Sequence, residues 1–90
     1  MKIEWDPNKA SGNIRKHRVS FQEAATVLYD KMSMTGADPD HSVEEFRFIT
    51  FGMSEQSRVL VVSHTESDEV IRIISARVAS RRERKFYEEG

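Results

Sequence analysis

The residues best equipped for chemistry fall in three places along the chain. Arg72-Ile73-Ile74-Ser75-Ala76-Arg77 runs into Ala79-Ser80-Arg81-Arg82-Glu83-Arg84 and then Tyr87, Lys16-His17-Arg18 lies nearer the N-terminus, and Arg47 and Arg58 stand between them. The first stretch reads as a strand that hands over directly to a basic helix. Several guanidinium groups, a carboxylate, a serine and a phenol then collect at one element boundary. Guanidinium forks match the planar, bidentate acceptors of an anion, and with no metal ligands beside them they suit a phosphodiester first of all. The plainer alternative is a solvated basic helix whose arginines pair with Glu83, Glu88 and Glu89.

Other chemistries are poorly provided for. The chain has no cysteine, which excludes disulfides, thiolate metal sites and a thiol nucleophile. His17, His41 and His64 lack ligand spacing, and Asp38-Pro39-Asp40-His41 reads as an acidic surface loop, so no metal site is expected. There is no Gly-x-Ser-x-Gly elbow, and the four glycines are scattered rather than gathered in a phosphate loop. What remains is metal-free cleavage of RNA by its own 2′-OH. That reaction needs a base near the hydroxyl, cations for the developing phosphorane charge and an acid for the leaving oxygen. DNA lacks the hydroxyl, so the reaction would be RNA-specific. Imidazole is the side chain best suited to moving protons near neutral pH, which makes His17 a proton-transfer candidate, or else it is a helix C-terminal histidine facing the last carbonyls. Arg77 stands at the end of a central strand, poised for phosphate or for an ion pair with Glu83. Arg47 and Arg58 lie near the ends of middle strands and either reach phosphate or guard a sheet edge. Tyr87 and Trp5 could stack on bases, although core packing suits Trp5 better.

The elements that must position these residues can be read from pattern and punctuation. Residues 2–5 alternate as a short strand with Ile3 and Trp5 on one side. Asp6-Pro7 gives an N-cap and a proline at the first helical position, starting a helix over 7–16. Ser20-Phe21-Gln22-Glu23 spells a capping box, and the helix over 21–29 lines up Phe21, Ala24, Ala25 and Leu28. Strands are predicted over 31–35, 46–51, 58–65 and 70–77, with Gly36 and Gly52 as stops and an acidic loop over 37–45. Short connections between the later strands imply an antiparallel meander. Val70 to Ile74 is apolar on both faces, which marks the last strand as central. Ser80 to Glu83 spells a second capping box, opening a C-terminal helix through Phe86 and Tyr87. The expected fold is α+β, with two N-terminal helices, a four- or five-stranded antiparallel sheet and a C-terminal helix.

Ninety residues make one small domain. No apolar run approaches the roughly 20 residues that span a bilayer, and the N-terminus lacks a signal-peptide core. The chain therefore reads as a soluble, cytoplasmic protein, complete as it stands, with no membrane partner. Net charge is −1, an unpromising value for a nucleic-acid binder, but the distribution is uneven. Residues 1–37 hold six Lys/Arg against four Asp/Glu, residues 38–69 two against eight, and residues 70–90 six against three. If the fold joins the two ends, they form a basic surface.

Taken in order, these blocks resemble the BrnT family of type II toxin–antitoxin toxins. The resemblance rests on Trp5-Asp6-Pro7-x-Lys9, on Asn13-x-x-Lys16-His17-x-Val19-x-Phe21-x-x-Ala24, and on the Arg47 strand and Gly52. It closes with Arg72-Ile73-Ile74-Ser75-Ala76-Arg77-x-Ala79-x-x-Glu83-Arg84-x-x-Tyr87. It implies one toxin domain over residues 1–90, a RelE-like ribonuclease that needs no metal or other cofactor and arrests growth by cutting RNA. It also implies a BrnA-type antitoxin, a 2:2 heterotetramer, and contact with operator DNA only through the antitoxin. On matching motif positions it points to Lys16, His17, Arg77, Glu83, Arg84 and Tyr87. Combined with the residue chemistry, the expected catalytic set is His17, Arg47, Arg77, Glu83 and Tyr87. His17 or Glu83 would move protons, and Arg77 and Arg47 would stabilise the phosphorane. Lys16, Arg18, Arg58, Arg81 and Arg84 would hold the RNA backbone. One departure is the slightly acidic balance, where RelE-type toxins are usually markedly basic. The competing class is a non-catalytic module that binds a partner and acts only within a repressing antitoxin complex.

Overall fold

Local caps and strand alternation set most of the element boundaries in the computed structural model, which describes residues 1–39 and 46–90. Asp40 and His41 of the acidic loop lie outside the described residues. The order is β1 (Lys2–Trp5), α1 (Pro7–His17), α2 (Phe21–Val27), β2 (Met34–Ala37), β3 (Arg47–Met53), β4 (Val59–Ser67), β5 (Val70–Val78) and α3 (Arg81–Glu89). Helix α1 starts as its sequence dictates, with the Asp6 carboxylate accepting from the Asn8 N–H at 2.8 Å and Pro7 at the first position. It stops where Arg18 turns left-handed, at φ 59°.

The two capping boxes come out differently. At Ser80 the box is complete: Ser80 Oγ accepts from the Glu83 N–H, and the Glu83 carboxylate accepts from the Ser80 N–H. At Ser20 only half forms, because Ser20 Oγ accepts from the Glu23 N–H at 3.0 Å while the Glu23 carboxylate turns inward to Arg58 and Ser54. A second boundary also moves. Asp30 accepts from the backbone N–H groups of Met32 and Met53, which makes residues 30–33 a turn and delays β2 to Met34.

The five strands form one sheet in the order β1-β5-β4-β3-β2. Strands β2 to β5 are the antiparallel meander that short connections demand. Strand β1, however, runs parallel to β5, with Lys2 opposite Val70 and Trp5 opposite Ile73. The sheet is therefore mixed, and the expectation of an entirely antiparallel sheet is corrected. The direction follows from what comes next: β1 has no hairpin partner, and a parallel β1 releases the chain at Ile73, where α1 can run along the free edge of β5. The same pairing joins the two basic ends of the chain.

Helices α1 and α2 cover one face. Val19, Phe21, Ala24 and Val27 pack there on Leu60, Val62, Ile73 and Ala76, with Trp5 meeting Phe21 edge to face at 6.0 Å between centroids. Gly52 does more than stop a strand. A Cβ there would come 2.7 Å from Val27 Cγ1, so the glycine lets α2 approach β3 closely. Helix α3 lies across the opposite face, where Phe86 packs edge to face on Phe51 at 6.2 Å between ring centroids.

Candidate active site

The face beneath α3 is where the candidate cations gather. Strand alternation and register put Arg47, Ile49 and Phe51 of β3, Val61, Ser63 and Thr65 of β4, and Arg72, Ser75 and Arg77 of β5 on this side. Across it runs a row in which Arg47 faces Thr65, Thr65 faces Arg72, and Arg72 faces Glu4 of β1. A parallel row holds Phe51, Val61 and Arg77, and between the two rows Ser63 faces Ser75. Arg47 and Arg72 stand two strands apart, about 10 Å between backbones, and Arg77 lies about 16 Å further along β5. The result is a polar track with guanidinium groups towards both ends.

Arg77 is the most firmly held of these groups. Its two terminal nitrogens donate to the two Glu83 oxygens at 2.7 and 2.8 Å, a fork-to-fork pair joining β5 to the first turn of α3. This pairing, with help from the Ser80 backbone N–H, pulls the Glu83 carboxyl down to about 2. Glu83 is thus ionised at neutral pH and is a weak proton acceptor. The guanidinium stays protonated and half-exposed, and its Nε edge and outer N–H groups face away from Glu83.

Supporting contacts fix the two ends of this arrangement. Beyond Ile73, where β1 stops, the outer edge of β5 would be bare, and Asn13 of α1 fills the gap. Its side-chain amide donates to the Ala76 carbonyl at 2.8 Å and accepts from the Ala76 N–H at 3.1 Å, standing in for a neighbouring strand. The same amide donates to the Val19 carbonyl. Arg77 is the next residue along. At the far end of α3, the Tyr87 hydroxyl donates to Asp30 Oδ2 at 2.5 Å. That bond raises the phenol further above its ordinary value, so Tyr87 is neutral and latches α3 to the turn before β2.

The remaining expected residues divide clearly. Arg58, itself 34% exposed, pairs its guanidinium with the buried Glu23 carboxylate and donates to the Arg18 carbonyl at 3.2 Å. The pairing makes it a brace between α2 and the start of β4. Lys16 and His17 close α1 and Arg18 is its C-cap. No hydrogen bond or ion pair joins His17 to Arg77 or Glu83. Arg81 and Arg84 are exposed on α3, Arg84 beside Glu88 at 3.4 Å. His64 is buried on the helix-covered face, its Nε2 against Thr50 Oγ1 at 2.7 Å, and burial favours its neutral form. Among the described residues no group of three or more His, Cys, Asp or Glu is arranged to hold a metal ion.

Residues 5–83 match the family described as "Ribonuclease toxin, BrnT, of type II toxin-antitoxin system". The chain belongs to the BrnT family. The fold is also similar to the 1.1 Å crystal structure of the Brucella abortus ribonuclease toxin BrnT, with 26% identity and a TM-score of 0.68, covering 90% of this chain and 99% of that one. No curated protein matches the chain. As a BrnT family member it is a type II toxin with a ribonuclease assignment and an antitoxin partner. No helix among the described residues is long and apolar enough to cross a membrane.

Several residues of this candidate site have no role in the reading of side-chain chemistry. Arg72 is a motif position without a role, and Glu4, paired with it at 2.9 Å on the candidate face, lies outside the motif blocks. Asn13 was likewise a bare motif position, and Asp30 had no signal at all. Alternation alone puts Arg72 and Arg77, five residues apart, on opposite sides of β5, and only the register shift between Ser63 and His64 brings them to one side.

Proposed function

We propose that this toxin is a RelE-like, metal-independent endoribonuclease that cleaves RNA by attack of the 2′-OH on the adjacent phosphate. The observation that carries this reading is the Arg77–Glu83 fork at the junction of β5 and α3, which presents a fixed, permanently charged guanidinium on the face beneath α3. A cation whose position is set before substrate arrives stabilises the pentavalent phosphorane without reorganisation, which is where most of the rate in such a reaction comes from. In this scheme Arg77 binds the scissile phosphate, Glu83 positions Arg77, and Arg47 and Arg72 hold backbone phosphates further along the face. Arg81 and Arg84 extend the cationic margin along α3. His17, at the end of α1 with Lys16 and Arg18 beside it, is the candidate for proton transfer, while Tyr87 holds α3 in place.

Cleavage in the cytoplasm arrests growth until a BrnA-type antitoxin binds in a 2:2 assembly, and contact with operator DNA runs through that antitoxin. The test is expression without antitoxin. The wild type should stop growth, Arg77→Ala should not, and Arg77→Lys should fall between, because an ammonium keeps the charge but loses the fork. Growth arrest by Arg77→Ala equal to wild type would remove Arg77 from the mechanism.

A further inference from the structure

The two edges of the sheet differ. Strand β1 presents Lys2 and Glu4 on the face that carries α3. Strand β2 presents Met34 and Gly36 there, beside a groove of about 330 Å³ lined by Met34, Gly36, Ile49, Phe51 and Phe86. Among the described residues, no side chain that lines it is ionisable. Phe86 is 58% exposed although it packs on Phe51, and Met32 and Tyr29, just before β2, are exposed as well. Thr35, Gly36 and Ala37 are exposed along a strand that, among the described residues, pairs on one side only. Such an edge offers a row of backbone donors and acceptors to any extended chain that approaches.

We propose that this edge is where the antitoxin docks, adding an extended segment of alternating apolar and acidic residues as a further strand beside β2. The inference rests on the toxin reading above, which supplies the partner. Gly36 is the feature that fits this occupant. A Cβ built there meets nothing within 4 Å, so the position is bare by space as well as by sequence. A side chain on the added strand, opposite Gly36, can lean across it and reach Ile49, Phe51 and Phe86. The next residue along points to the other side, and the one after returns to the groove near Met34. Acidic residues are called for by the rim: Lys31 stands just before β2, and Arg82 lies one turn before Phe86 on the same stripe of α3. Both are exposed, and among the described residues neither joins an ion pair. The groove adjoins the Phe51–Val61–Arg77 row, so a segment seated there also obstructs the candidate RNA track.

The test uses the purified toxin and its purified antitoxin. Amide hydrogen exchange should slow at residues 34–37 when the complex forms. Gly36→Leu should weaken binding by about tenfold or more, the scale of losing a packed contact in an interface centre. Its thermal midpoint and RNA cleavage should match wild type, since the new side chain fills only the groove. Lys31→Glu with Arg82→Glu should also weaken binding, most strongly at low salt. Unchanged exchange at residues 34–37 on complex formation, protection there by RNA instead, or full affinity of Gly36→Leu would each overturn the proposal. Absence of cleavage by wild type would bear on the ribonuclease mechanism alone, because these binding measurements do not depend on it.

Discussion

Replacing Glu83 by Gln isolates the ion pair at the centre of the candidate site. Glutamine retains an oxygen that can accept from the Ser80 N–H, so the helix cap survives while the charge on Arg77 loses its partner. The Glu83 carboxyl falls from an ordinary 4.5 to about 2. At 1.36 kcal/mol per tenfold change in proton affinity, this sets a ceiling of about 3.4 kcal/mol. Arg77 is 45% exposed, and solvent screening of such a pair brings the expected loss to about 1–1.5 kcal/mol. A folded-state value below the unfolded one means that the stabilisation is fully present above pH 4.5 and disappears as pH falls towards 2. Urea denaturation of both proteins at a series of pH values should therefore give curves that are separated at pH 7 and converge below pH 3. A gap that stays constant across that range would show that the carboxylate is not acting through its charge, and the positioning argument for Arg77 would fail with it.

Arg58→Met should destabilise the fold by about 2–3 kcal/mol in urea denaturation, because it strands the buried Glu23 carboxylate. Adding Glu23→Gln should recover part of the loss. Gly52→Val should cost about 2–3 kcal/mol or more by the same measurement, since the new side chain begins 2.7 Å from Val27 and must push α2 off the sheet. Asn13→Leu should cost about 2–4 kcal/mol and leave Ala76 without partners on its outer edge. Faster amide exchange at Ala76 and reduced RNA cleavage should accompany that loss.

Features that depend on a few neighbouring residues were legible in the sequence. Asp6-Pro7 and Ser80 to Glu83 each specify a helix start through contacts within four residues, and both formed as written. The Arg77–Glu83 alternative could be named in advance because the two residues flank one strand-to-helix junction. Contacts between distant segments were not legible. Nothing near Glu23 reveals that its carboxylate will abandon the Ser20 cap for Arg58, 35 residues away. The bond from Tyr87 to Asp30 was hidden too, because the two residues are 57 apart in the chain. The direction of β1 was hidden for the same reason: alternation gives a strand and its faces but carries no sign of which way it runs beside β5. The shared side of Arg47, Arg72 and Arg77 emerges only with register, because one irregularity near Ser63 changes which residues align.

The most direct test of the ribonuclease account is end-group analysis of RNA cut by the purified, antitoxin-free toxin in the presence of a chelator. The account predicts cleavage that persists under chelation, leaves 2′,3′-cyclic phosphate and 5′-hydroxyl ends, and is lost in Arg77→Ala. Intact RNA, cleavage that stops on chelation, or 3′-hydroxyl and 5′-phosphate ends would contradict it.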